Sequence, residues 1–156
     1  MKVIGVDPAI RENGQAICIL DTETKNLIFI KFKQFVDFLF YIMNIDKNED
    51  YYFIIEDSSM QKVTFIKGYN NNVQSSISRR VGMNQAASTI TKQWIDVNNY
   101  KHICVSPLQK GGKWNKQYML AVLKAENYIT DVPVIKITQD MIDAFTLVFK
   151  FKPKSL

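Results

Sequence analysis

Two apolar runs in this sequence stop on a carboxylate: Val3-Ile4-Gly5-Val6 ends at Asp7, and Tyr52-Phe53-Ile54-Ile55 ends at Glu56. Short runs of β-branched and aromatic residues bounded by polar residues read as buried strands. An ionised side chain attached directly to such a strand is costly unless a cation compensates it. Side chains alternate along a strand, so Asp7 shares a face with Val3 and Gly5, and Glu56 with Tyr52 and Ile54. If the two strands are neighbours, both carboxylates emerge on one face. The chain must therefore fold so that charged strand ends are gathered around something positive.

The remaining pattern supplies the rest of that fold. Residues 15–20 form a second apolar run, and Asn13-Gly14 before it is a turn signal, so the first two strands read as a hairpin. Residues 27–32 give a third strand. Phe35, Phe38, Leu39 and Ile42 fall at helical spacing within 34–43. A polar stretch of nineteen residues, 58–76, is long for a connection in a compact domain, which marks it as functional or mobile. A long helix is expected over 78–97, with Val81, Ala86, Ala87, Ile90, Trp94 and Ile95 on one broad apolar face. A short strand over 102–105, a loop at Gly111-Gly112, a helix over 116–127 and an apolar segment over 132–137 follow. Thr138 is placed to cap a last helix, 139–150, ahead of a basic tail over 150–156. Strands first, then strands alternating with helices, predict one α/β domain over 1–156, with a mixed five-stranded sheet flanked by helices.

Hydrophobic residues make up 47% of the chain and charged residues 22%, which excludes global disorder. The net charge of +5 suits a polyanionic partner. Cys18 and Cys104 lie far apart in apolar stretches with no zinc spacing, and read as buried free thiols of a reducing cytoplasm. No apolar run reaches the roughly 18 residues of a membrane span, and no secretory signal pattern opens the sequence, so a soluble cytoplasmic protein is expected. His102 enters an apolar strand and reads as a structural residue.

A second acidic pair, Asp140 and Asp143, falls three residues apart in the last helix and therefore on one helical face. Asp140 lies in the first turn, where the helix dipole favours an anion. Asp143 sits among Met141, Ile142, Ala144 and Phe145, an odd place for a solvated charge. Singly, each of the four acidic residues has an ordinary structural explanation. Together they would repel strongly, and divalent cations are the natural compensation. Mg²⁺ prefers carboxylate oxygens, and two such ions about 4 Å apart can hydrolyse a phosphodiester. Around them, Lys110 and Lys113 flank the glycine loop, and Arg79 and Arg80 open the long helix. With Lys62 and Lys67 in the polar stretch, these side chains can track a DNA backbone. Phe65 and Tyr69 either stack on unpaired bases or fold down on the core.

These residues carry a family resemblance. Ile4-Gly5-Val6-Asp7-Pro8-Ala9-Ile10-Arg11-Glu12-Asn13-Gly14 resembles the opening motif of the RuvC family of Holliday junction resolvases, and Phe53-Ile54-Ile55-Glu56 its second motif. Val81-Gly82-Met83-Asn84-Gln85-Ala86-Ala87 is similar to the family's long central helix, and Asp140-Met141-Ile142-Asp143-Ala144 to its closing D-x-x-D-A. The resemblance runs from residue 3 to about 149. It implies a ribonuclease H-like fold and a Mg²⁺-dependent endodeoxyribonuclease, with Mn²⁺ able to substitute. Two ions would be held by Asp7, Glu56, Asp140 and Asp143. It implies Lys116 as a catalytic lysine near the scissile phosphate, with Lys110 aligned to another. A solvated basic loop remains the alternative for Lys116, and the favoured reading for Lys113. A homodimer built on the helix over 78–97 is implied as well.

The sequence departs from this family at Ser59, where bacterial resolvases carry an aromatic that probes the junction, and at Asn84-Gln85, which replace an Arg-Gly pair. Neither change touches the carboxylates. The expectation is intact metal chemistry with relaxed selectivity for four-way junctions, forks, flaps and other branched DNA. A ribonuclease H-like nuclease acting on RNA or hybrid duplexes, and a non-catalytic branched-DNA-binding protein, are the competing readings. The richness in Lys, Asn and Ile fits a bacteriophage of a low-GC Gram-positive host.

Overall fold

The computed structural model describes residues 1–61 and 70–153. Its strands are β1 (Lys2–Asp7), β2 (Gln15–Asp21), β3 (Asn26–Phe32), β4 (Tyr51–Glu56), β5 (Lys101–Val105) and β6 (Ile129–Thr130). They form one sheet in the order β5-β4-β1-β2-β3-β6. The sequence predicts five strands; the sixth, β6, has only two residues and pairs with the start of β3, too short to carry a pattern of its own. β1 and β2 are antiparallel, as are β2 and β3, while β1, β4 and β5 run parallel. The sheet is therefore mixed, as its sequence pattern requires.

Among the described residues the α-helices are α1 (Phe35–Asn44), α2 (Asn71–Val97), α3 (Pro107–Lys110), α4 (Lys116–Ala125) and α5 (Gln139–Phe151). α1 and α2 pack on one face. Phe38, Ile42 and Ile95 join Ile4, Val6, Ile17, Phe53 and Ile55 there. α4 and α5 pack on the other, where Met119, Leu123, Ala144, Phe145 and Val148 meet Val3, Cys18 and Ile54. The two-residue period of β1 and β4 sorts alternate side chains into these two cores. No helix among the described residues is long and apolar enough to cross a membrane.

Helix starts follow local chemistry. Asn70 caps α2 by accepting from Val73 N, Asn115 caps α4 by accepting from Tyr118 N, and Ser106 and Gln109 form a reciprocal box around Pro107. Thr138 occupies the cap position of α5, but its hydroxyl makes no bond to the helix and is buried instead. α2 begins seven residues before the expected 78, because Asn70 supplies a cap that the polar composition of the stretch disguised. The expected broad apolar face of α2 divides in two. Ala87, Trp94 and Ile95 pack inward, whereas Ala86 and Ile90 are exposed. The expected basic tail begins inside the last helix. α5 continues to Phe151, with Lys150 lying 5.6 Å from the centre of the Trp114 ring and Lys152 5.1 Å from that of Tyr128. Residues 154–156 lie outside the described residues. Cys18 is buried and Cys104 only half-buried, and both are free thiols.

Candidate functional site

The register of the central strands explains the site. Val6 of β1 pairs with Ile55 of β4, so Asp7 and Glu56 leave the sheet side by side at its carboxyl edge. Both point to the α5 face, by the parity that sends Val3, Gly5 and Ile54 there. α5 approaches β1 closely because residue 5 is glycine: a Cβ there would lie 2.2 Å from Ala144 O and 2.7 Å from Val148 Cγ2. That approach brings Asp143, one residue before Ala144, to the two strand-end carboxylates.

Lys110, the last residue of α3, sits among the three. Its ammonium donates to Asp7 Oδ2 at 2.9 Å and to Glu56 Oε2, and lies 4.0 Å from Asp143 Oδ1. Lys110 is buried, at 6% exposure, a cost only such partners can offset. Burial pushes the Asp7 and Glu56 carboxyls above their ordinary pKa, with Lys110 opposing the rise and the neighbouring carboxylates adding to it. The Lys110 ammonium is displaced upward: burial lowers its pKa, but the charges of Asp7 and Glu56 outweigh that effect. One ammonium against three carboxylates leaves a net negative centre. As the side chains stand, among the described residues no three acidic, histidine or cysteine groups form a ready-made metal cage. The Lys110 ammonium occupies the middle of the group instead.

Asp140, one helical turn from Asp143, is held differently. Its Oδ1 accepts from Arg11 Nη2 at 2.8 Å, and Lys31 Nζ stands 3.9 Å from its other oxygen. Gln139 donates to Asp143 Oδ1 at 3.0 Å and to the Trp114 carbonyl at 3.1 Å, tying α5 to the glycine loop. Behind Glu56, the buried Ser88 of α2 accepts from Ser58 N at 3.1 Å and stands 3.1 Å from the carbonyls of Glu56 and Asn84. Ser59 is exposed, in the single turn after Glu56, and bonds to Asp57 through its backbone and its hydroxyl.

Asp7, Asp140 and Asp143 open into a cleft of about 740 Å³. Arg11, Arg79, Arg80 and Lys113 contribute to its walls, with Met83 and Asn84 of α2. Lys116 opens α4 and does not line this cleft. Lys110, read from sequence as a DNA contact and aligned by the resemblance with a family lysine, lies buried among the carboxylates. Lys62, Phe65, Lys67 and Tyr69 lie outside the described residues. Sequence reasoning passed over Arg11, Lys31, Gln139 and Ser88. The Asn13-Gly14 turn signal does mark the loop that carries Arg11, but nothing local ties that arginine to a residue 129 positions away.

Of the solved structures, RuvC of T. thermophilus in complex with a Holliday junction substrate matches with a TM-score of 0.52 at 14% sequence identity, covering 94% of this chain and 90% of that one. The two proteins share a fold. That fold is the mixed, ribonuclease H-like α/β sheet flanked by helices. No protein-family model matches the sequence, and no curated protein sequence does.

Proposed function

We propose that this chain is a metal-dependent, structure-selective DNA endonuclease that cleaves Holliday junctions and other branched DNA. The observation that carries this reading is the meeting of Asp7, Glu56 and Asp143 around the Lys110 ammonium, with Asp140 one turn from Asp143, where Asp7, Asp140 and Asp143 open into a cleft with basic walls. The fold shared with a junction-bound RuvC supports it.

The donor set fits hard divalent cations such as Mg²⁺ or Mn²⁺: it is all carboxylate, with Glu56 and Asp143 buried, Asp7 and Asp140 partly exposed, and the Lys110 ammonium shared among Asp7, Glu56 and Asp143. Asp7, Glu56, Asp140 and Asp143 would hold two ions. When bound, such ions supply an activated water and stabilise the departing 3′ oxygen. The protein's own groups do the rest. Arg79, Arg80 and Lys113 draw the phosphate backbone into the cleft. Gln139 fixes the direction in which Asp143 presents its free oxygen. Lys110, which the resemblance aligns with a second family lysine beside Lys116, stands nearest the carboxylates. At Ser59 no aromatic projects towards the substrate, which favours relaxed selectivity among four-way junctions, forks and flaps.

We also propose a homodimer. Met83, Ala86, Ile90 and Val97 recur at heptad-like spacing on the exposed side of α2, a seam suited to a second copy of the same helix. Sedimentation should show a dimer that Ile90→Glu converts to a monomer; a wild-type monomer rejects the dimer.

Labelled four-way, three-way, flap and linear duplex DNA, incubated with Mg²⁺ or with EDTA, tests the activity. Branched DNA should be nicked only with Mg²⁺, and Asp7→Asn should bind the junction while cleaving at least about a hundredfold more slowly. Binding without metal-dependent nicking on any substrate rejects the nuclease. Cleavage of the four-way junction alone rejects relaxed selectivity.

A further inference from the structure

Asp140 stands apart from the other three carboxylates in what holds it. Lys110 reaches Asp7, Glu56 and Asp143, whereas Asp140 takes the guanidinium of Arg11 at 2.8 Å. The loop between β1 and β2 is built to deliver that side chain. Gln15, fully buried, accepts from Ala9 N at 2.9 Å and donates to Ala16 O at 3.1 Å. Asn13, at φ 55°, donates its backbone N–H to Lys33 O at 2.8 Å, and Gly14 N bonds to Arg11 O at 3.0 Å. Gly14 also leaves the space in which the arginine folds back, since a Cβ there would lie 2.3 Å from Arg11 Cγ and 2.6 Å from its Nε.

Despite this support the Arg11 side chain is 70% exposed, and it lines the same cleft as Arg79, Arg80 and Lys113. An ion pair so open to water is weak and easily exchanged. A guanidinium fork pairs with phosphate oxygens as well as it does with a carboxylate.

We propose that Arg11 is a latch on Asp140. With the cleft empty, its guanidinium caps the carboxylate and competes with a divalent cation for that oxygen. When a DNA strand enters, the guanidinium passes to a backbone phosphate, and Asp140 is released as a ligand. Substrate then prepares the cation site, and by linkage the two binding events are coupled. The inference rests on the nuclease reading above.

Two measurements on the DNA-free and metal-free protein test it: calorimetric titration with Mn²⁺ alone, and binding of a fluorescent four-way junction in EDTA. Arg11→Met should bind Mn²⁺ about fivefold or more tightly, and the junction about fivefold or more weakly. Gly14→Ala keeps the positive charge but displaces the guanidinium. It should also tighten Mn²⁺ binding, while its junction affinity stays within about twofold. Unchanged or weaker Mn²⁺ binding by Arg11→Met overturns the latch, and with weakened junction binding leaves Arg11 a plain DNA contact. Tighter Mn²⁺ binding with unaltered junction affinity overturns the transfer to phosphate. If wild type and Asp7→Asn alike take up no Mn²⁺, the carboxylates are no metal site, and the underlying reading falls together with the latch.

Discussion

The ammonium of Lys110 lies 2.9 Å from Asp7 Oδ2, although 103 residues separate the two in the chain. The same nitrogen bonds Glu56, so one buried cation holds together two strand ends that carry like charges. Removing one partner of such a buried group leaves uncompensated charge, which typically costs about 3 kcal/mol or more.

Lys110→Met should therefore lower Tm in EDTA and recover much of the loss in Mg²⁺, with a metal-induced rise larger than that of wild type. The deficit should also depend on pH. Asp7 and Glu56 already have raised pKa values, and a raised carboxyl favours folding below its unfolded value and loses that contribution as pH climbs. Without the ammonium the rise is greater, so the variant should be closest to wild type near pH 4 to 5, about the ordinary carboxylate range, and fall behind it towards pH 8. Equal melting curves in EDTA and Mg²⁺ across that range would contradict the role given to Lys110.

Gln139 gives a second handle. Its amide orients Asp143 and joins it to the Trp114 carbonyl. Groups that orient a metal ligand are commonly worth about tenfold to a hundredfold in metal affinity. Gln139→Leu should raise the Mg²⁺ concentration for half-maximal cleavage by about tenfold. Gln139→Glu, which also loses the amide but sets a further anion beside Asp143 to attract the cation, should raise it less than Gln139→Leu does. A metal titration curve that superimposes on wild type for both variants would show that the amide is only a surface bond.

Gly5 tests the closeness of β1 and α5. Gly5→Ala must push a methyl into the Ala144 carbonyl, a backbone atom that cannot swing aside. Overpacking of this kind costs about 3 kcal/mol. Urea denaturation should report that loss, and cleavage should fall by more than stability alone explains, since Asp143 moves with Ala144. Wild-type stability would mean that the helix and strand stand farther apart.

Ser88 joins the cleft wall to the end of β4. Ser88→Ala leaves the part-buried Ser58 N–H without its acceptor, a loss of about 1 kcal/mol. A change below about 0.5 kcal/mol in chemical denaturation would show that water replaces the hydroxyl readily.

Much of the fold is legible in the chain because local chemistry and period agree. The runs around residues 3–6 and 52–55 carry β-branched and aromatic side chains whose two-residue alternation places Asp7 and Glu56 on one face once their strands pair, and they do. The three-residue spacing of Asp140 and Asp143 likewise puts both on one side of α5. Sequence reading goes wrong where the deciding information is not local. The exposed and buried sides of α2 cannot be separated from an apolar stripe alone, because Ala86 and Ala87 look alike until the sheet and α1 select one of them.

By itself, then, the order of residues determined which carboxylates sit at strand ends and on a helix face, since periodicity depends only on backbone geometry. Tertiary structure alone decided what stands among them. Lys110 comes to Asp7 and Glu56, and Arg11 to Asp140, through parallel strand pairing and the close approach that Gly5 permits. The electrostatics of a buried charge depend on partners a hundred residues away, and no pattern within a run of sequence can name them.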